Sequence, residues 1–152
     1  MKKSIKVVFA MGLLSATIFA ACKKDQPVPD VITYELTLQA TKSVNGSTTF
    51  TEIKYMDGNK TTQTLTNSST DFSTKFAVRD SFPISFSVKG TASGGSTTTL
   101  PTPTISYKVE KITNGTTRDV VCNEFEASIK GTSSGYTFEK VFTKVVSPTG
   151  CK

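Results

Sequence analysis

The sequence predicts an all-β protein, a single antiparallel sandwich of about seven to eight short strands across residues 31–152. Three observations carry that expectation. Apolar residues recur at every second position through most of this stretch, the mark of strands with one buried face. Turn-forming pairs that accept positive φ punctuate it: Asn45-Gly46, Asp57-Gly58 and Asn114-Gly115. No segment in this part carries the 3.6-residue repeat of an amphipathic helix, and no repeat of fixed period occurs.

The strands follow in order. In VITYELTLQAT, Ile32, Tyr34, Leu36, Leu38 and Ala40 alternate with Thr33, Glu35, Thr37 and Gln39. SVNGST is a turn, and TFTEIKYM then sets Ile53 and Tyr55 on one face before Asp57-Gly58. KTTQTLT is weakly patterned, an edge strand or a loop. DFSTKFAV groups Phe72, Phe76 and Val78, and SFPISFSV groups Phe82, Ile84, Phe86 and Val88, with Arg79-Asp80-Ser81 as the turn between them. Pro83 has no N–H to donate, so its strand begins there or lies at an edge. The Gly/Ser/Thr/Pro-rich run KGTASGGSTTTLPTPT reads as a long loop at one end of the domain. ISYKVEKI and TRDVVCNEFEASI form a hairpin around Asn114-Gly115, and YTFEKVFTKVV closes the chain with Tyr136, Phe138, Phe142 and Val146 on one parity. A core of Phe, Tyr and β-branched residues suits an immunoglobulin-like sandwich, with a small lipocalin-like barrel as the alternative. With no tryptophan in the chain, the Cys–Trp–Cys core of antibody domains is excluded.

The first 30 residues are of another kind. Lys2, Lys3 and Lys6 precede an apolar run from Val7 to Ala21. As a helix that run would reach roughly 22 Å, short of the ~30 Å hydrocarbon core, so it reads as an export signal and not a membrane span. Ordinary cleavage after Ala20 or Ala21 would require Ile18 or Phe19 where a small residue is needed. The segment IFAAC instead resembles the lipobox of bacterial lipoproteins, with Phe19 in place of the commoner leucine. That resemblance implies cleavage before Cys22, a thioether-linked diacylglycerol on its sulfur and an acyl chain, such as palmitate, on its amino group. The alternative is an unmodified Cys22 thiol beside an uncleaved anchor. The expected organisation is therefore a signal peptide over 1–21, a lipidated tether over 22–30 and the sandwich over 31–152. Pro27 and Pro29 bias the tether to extended polyproline geometry, so it reaches under about 30 Å. In well-studied Gram-negative bacteria an aspartate after the lipidated cysteine retains the protein in the inner membrane. Lys23 stands there in this chain, which implies the outer membrane.

Charge and cysteines narrow the classes further. The net charge is +6, but three of the 18 basic residues lie in the signal while all 12 acids follow it, so residues 22–152 carry 15 basic against 12 acidic residues, or +3. Lys23 and Lys24 sit beside the expected lipid, where cations meet anionic headgroups. The remaining charge is dispersed, so nucleic acid is not an expected partner. Cys122 and Cys151 are expected to form a disulfide in an oxidising compartment, closing a loop of about 30 residues and stabilising by roughly 3.5 kcal/mol; two free thiols are the alternative.

The chain has no histidine, which removes Ser-His-Asp and Cys-His catalysis and imidazole zinc sites. No metal, cofactor or catalytic residue is expected. Asp57-Gly58-Asn59 is contiguous where a calcium loop needs alternating ligands, and reads as a turn. Glu124 and Glu126 share a strand face and could act as paired carboxylates only across a cleft; on the polar parity they are expected to be solvated. The Asn-x-Ser/Thr triplets beginning at Asn45, Asn59, Asn67 and Asn114 read as turn chemistry.

The segments TYELTL, IKYMDGN, FSTKFAV, ISFSVKG and ISYKVEKITNG, spread between Ile32 and Gly115, resemble the MmpS-type transport accessory proteins, small membrane-tethered β-sandwich domains, and their lipoprotein relatives. The resemblance implies a non-catalytic domain that assists an envelope transporter, and it carries over no functional residue. The expected role is thus an anchored interaction or transport-accessory module with an envelope protein as partner. The alternative is a surface lipoprotein that binds a glycan or small lipid. A filled Phe-rich core suits the first and an apolar cavity of roughly 300 Å³ or more the second. Tyr55 and Tyr107 are the candidate glycan-stacking rings, each of which also suits a core.

Overall fold

The structure, a computed structural model, describes residues 28–94, 101–127 and 135–152. The signal segment, Cys22 and the tether up to residue 27 lie outside these residues, as does part of the long loop expected after Val88.

The described residues form nine strands: β1 (Ile32–Thr41), β2 (Ser47–Met56), β3 (Thr62–Ser68), β4 (Phe72–Val78), β5 (Pro83–Ser93), β6 (Thr104–Thr113), β7 (Thr117–Ala127), β8 (Tyr136–Ser147) and the two-residue β9 (Gly150–Cys151). They form two antiparallel sheets, β4-β1-β6-β7 and β3-β2-β5-β8-β9, packed face to face as a sandwich that does not close into a barrel. The alternation read from the sequence is what packs them. Tyr34, Leu36, Leu38 and Ala40 of β1 and Ile105, Tyr107 and Val109 of β6 point inward from the first sheet, each nearly inaccessible to solvent. Ile84, Phe86, Val88 and Ala92 of β5 and Phe138, Phe142 and Val146 of β8 meet them from the second. Ile32, the first member of the β1 series, is exposed, because it lies at the strand's beginning where the opposite sheet no longer covers it.

An aromatic chain runs through this interior. Tyr55 lies 5.3 Å from Phe72 between centroids, Phe72 6.1 Å from Phe86, Phe86 6.2 Å from Phe142, and Phe142 5.1 Å from Tyr107 in an edge-on contact. Rings at these separations gain from edge–face and offset contacts in addition to burial.

Two departures from simple alternation complete the core. A bulge in β2 between Phe50 and Glu52 leaves Thr51 unpaired, so that both Phe50 and Ile53 face inward despite their odd spacing. The second concerns Gly90, expected to open a loop. Instead β5 continues to Ser93, pairing Gly90 with Phe50 on one side and Phe138 on the other. A Cβ on Gly90 would stand 2.4 Å from Cζ of Phe138 and 2.6 Å from the carbonyl oxygen of Thr49. The glycine therefore vacates the space that the Phe138 ring fills, instead of breaking the strand. Gly90→Ala is expected to destabilise the domain by about 1–3 kcal/mol through overpacking, read as a lower urea midpoint with unchanged slope.

The chain ends are tied in. At the tip of the β6–β7 hairpin Asn114 and Gly115 adopt φ of 52° and 74°, as the centre of a primed β-turn requires, and the Thr116 N–H closes the turn on the Thr113 carbonyl (3.2 Å). The Asn114 backbone N–H donates to the Val31 carbonyl (2.8 Å), its side-chain oxygen accepts from the Val31 N–H (2.9 Å), and its Nδ2 donates to Asp30 (2.7 Å). Residues 28–30 thus enter the sandwich at the end that carries this tip. The registers place Thr41, Thr104 and Ala127 together at the opposite end, about 30 Å away along a ten-residue strand.

Candidate functional site

Four places bring chemistry-bearing side chains together, and each is built by a local feature of the sequence.

The first is the open side of the sandwich between β7 and β8. Glu124 and Glu126 are solvated as expected, their side chains 42% and 49% exposed, but they lie on the inward parity of β7 and not on its polar one. A bulge between Val120 and Cys122 leaves Val121 unpaired and shifts the parity of β7. Cys122 then lies opposite Val109, Glu124 opposite Tyr107 and Glu126 opposite Ile105, all three partners being core residues. The two glutamates therefore face the gap between the sheets, and Phe125 and Val120 are turned outward, 66% and 57% exposed. On β8 the parity that carries Phe138, Phe142 and Val146 also carries Lys140 and Lys144. Lys144 pairs with Glu124 at 3.0 Å and Lys140 with Glu126, while the Lys140 ammonium lies 5.0 Å from the centre of the Phe142 ring. Two cross-sheet ion pairs thus close a side that apolar residues do not reach. Each carboxylate faces a lysine instead of a second acid, which is not the arrangement of a glycosidase pair.

Behind them, burial and then the neighbouring Glu124 carboxylate push the Tyr107 phenol up to about 12. The folded value lies above the unfolded one near 10, so the stability this proton contributes is intact below pH 10 and is lost as pH rises toward 12. That loss amounts to about 2–3 kcal/mol. Denaturant titrations between pH 9 and pH 12 are expected to show a shallower alkaline decline for Tyr107→Phe than for the parent.

The second place is the disulfide. Cys122 on β7 and Cys151 on β9 are joined, with Cα atoms 5.8 Å apart. They belong to different sheets, so the bond staples the two layers at the same open side. It also turns SPTGCK, which reads as frayed coil, into a hairpin: Cys151 pairs with Val146, and the Lys152 N–H donates to the Val145 carbonyl at 3.1 Å.

The third is a groove of about 550 Å³ at the tether end, lined by Thr33, Lys60, Arg79 and Asp80 over Val78 and Phe82. One wall is the Asp57–Lys60 turn. Asp57 Oδ1 accepts from the N–H groups of Asn59 (2.9 Å) and Thr61 (3.0 Å), and Oδ2 from Gln63 (2.8 Å). The bond from Thr61, followed by that from Gln63, holds the Asp57 carboxyl below its ordinary range. Its oxygens are committed to the turn, as the contiguous Asp-Gly-Asn suggests. Among the described residues no cluster of three or more metal-ligating side chains occurs.

The fourth comprises the two outer faces, each carrying a charge ladder. On the first sheet Glu35 meets Lys75 at 2.8 Å and Arg118 at 2.5 Å, and Arg118 and Lys108 also meet Glu110. Hydrogen bonds from Lys75 and then Arg118 hold the Glu35 carboxyl below the usual range. On the second sheet Glu52 bridges Lys54 and Lys89, and Lys89 reaches Glu139. Such solvent-facing pairs contribute little stability each, and their regular placement keeps the faces hydrated and specific.

The candidate stacking rings are accounted for differently. Tyr107 is in the core, and Tyr55 is half-buried against Phe72 and Phe76. Among the described residues the exposed ring is Phe125, which the sequence conceals because the bulge shifts the parity of its strand. Cys22 lies outside the described residues. In comparison with known proteins, no family model matches the chain and no curated protein is significantly similar to it.

Proposed function

We propose that the chain is a lipid-anchored lipoprotein of the outer membrane whose sandwich serves as a non-catalytic interaction or transport-accessory module in the cell envelope. The observation that carries the module reading is the ring-rich core that the described residues form between the sheets. Rings and branched side chains occupy the space between the sheets, which leaves recognition to the outer faces, the edges and the end loops. The anchor reading rests on the lipobox-like IFAAC and Cys22. With a short tether leaving at the Asn114 end, the loops at the opposite end and the strand edges are the parts most available to a protein partner.

A small epitope placed after Lys152 tests the role. Antibody labelling only after permeabilisation is the expected result and fits an accessory of an envelope complex. Labelling of intact cells would overturn the transport-accessory role and favour the second reading, a surface lipoprotein that binds glycan or small lipid. One observation favours that alternative: the outward Phe125 ring, opposite Ser106 in register, is a hydrophobic platform among polar neighbours.

A further inference from the structure

The sandwich has four edge strands, and three of them are blunted. β4 carries Lys75 at its middle. β7 is bulged at Val121, carries Arg118, Asp119, Glu124 and Glu126, and is pinned by the disulfide. β9 is only two residues long, and the stretch of β8 that it leaves uncovered carries Glu139, Lys140 and Lys144. These are the devices by which sheets avoid adding strands. β3 has none of them between Thr62 and Thr66, and is irregular only at Asn67 near its end. Its seven residues, TQTLTNS, contain no charge and no proline, and all except Gln63 and Ser68 are exposed.

The same seven residues read nearly alike in both directions about Leu65. Thr64 matches Thr66, Gln63 matches Asn67, and Thr62 matches Ser68. An antiparallel strand pair related by a two-fold axis sets residues opposite each other in this mirrored order. We propose that β3 is a self-association edge, and that its occupant is β3 of a second copy of this chain, paired antiparallel with the axis at Leu65. The pairing sets Leu65 against its counterpart, covering a side chain that is 39% exposed in the single chain, and sets Thr64 against Thr66 of the other copy on the outer face. Gln63–Asn67 and Thr62–Ser68 are the polar matches at the rim. Asn67, at φ 54°, turns the chain away there, so the ladder is centred on residues 64–66. The five-stranded sheet of each copy becomes half of one continuous sheet. No charge opposes the contact, and no other edge of the fold has a sequence that matches itself in this way. The inference deepens the reading of the domain as an interaction module by naming a partner. It does not depend on lipid attachment at Cys22.

Cysteine cross-linking of the full chain, in envelopes treated with a mild oxidant, tests it. Directly opposed residues of antiparallel strands have Cα atoms about 4.5–5.5 Å apart, within disulfide range. Leu65→Cys is therefore expected to give a band of twice the chain mass. Thr62→Cys alone is expected to give none, since its counterpart would lie roughly 20 Å away along the strand. Co-expressed Thr64→Cys and Thr66→Cys chains, whose replaced residues oppose each other within the ladder, are expected to give the band. Adding Thr64→Lys with Thr66→Lys to Leu65→Cys, which opposes lysines across the axis, is expected to reduce it by at least roughly tenfold. Absence of the Leu65→Cys dimer, an equal dimer from Thr62→Cys, or an adduct whose mass is not that of two copies would each overturn the proposal. Such a failure leaves the epitope and lipid measurements unaffected, so loss of this edge and loss of the module reading can be told apart.

Discussion

Phe86→Ala is expected to destabilise the domain by about 3–5 kcal/mol, the largest effect of any single truncation considered. Phe86 is fully buried and occupies the middle of the aromatic chain, between Phe72 from the edge of one sheet and Phe142 from the interior of the other. Its neighbours on β5 are held by main-chain pairing, Val88 on both sides and Ile84 against Lys144 of β8, so they cannot move in to fill the space. The expected cost is the lost transfer energy of a phenyl group plus that of the cavity left behind. Chemical denaturation of the parent and the variant checks it. A loss under about 1 kcal/mol would mean that the two sheets can collapse onto each other, contrary to a core set by interlocking rings.

The second large effect is at the disulfide. Replacing Cys122 and Cys151 by serine is expected to cost about 3.5 kcal/mol from chain entropy alone, because a separation of 29 residues is released in the unfolded state. For a domain of this size that corresponds to a melting temperature lower by roughly 10–20 °C. The bond joins the edge of one sheet to the edge of the other, so the loss should be felt locally as well. Hydrogen exchange is expected to rise first in β9 and in β7 around the bulge, while β1, β5 and β6 in the centre keep their protection. A uniform rise across all strands would indicate that the staple acts only through the unfolded chain.

The two cross-sheet ion pairs lie on the same open side. Because Lys140 and Lys144 remain partly exposed, each pair contributes modestly, and closing the side rests chiefly on the covalent bond. A sandwich with few apolar residues along one side is thus closed there by charge pairs and a disulfide, and elsewhere by rings.

Most of this architecture is legible in the sequence, and the exceptions share a cause. Period-two alternation identified β1, β4, β5 and β8 with most of their inward residues, and β6 as a strand, because a half-buried strand imposes its own signature on composition. It failed where a bulge inserts a residue. Phe50 falls out of phase with Ile53 and Tyr55, and Glu124 and Glu126 fall on what looks like the polar face until Val121 is skipped. A bulge has no fixed residue signature, so parity beyond it is settled by the neighbouring strand. Gly90 misleads for a different reason. Glycine marks both loops and points of close approach, and only the Phe138 ring on the adjoining strand distinguishes the two. The pairing of Cys122 with Cys151 is legible from the expected export signal and from their being the two cysteines beyond Cys22, but that they join separate sheets depends on topology. The self-matching order of TQTLTNS is visible in the sequence, yet it acquires meaning only once β3 is known to be an unprotected edge.

The central claim, a domain held on a membrane by a lipid, is tested most directly by mass spectrometry of the mature protein's first peptide after expression in a Gram-negative host. The account predicts that the chain begins at Cys22, with a diacylglycerol on its sulfur and an acyl group on its nitrogen, and that Cys22→Ala abolishes both modifications and the cleavage. A chain that begins at Met1, or at any residue other than Cys22, with an unmodified thiol would contradict it.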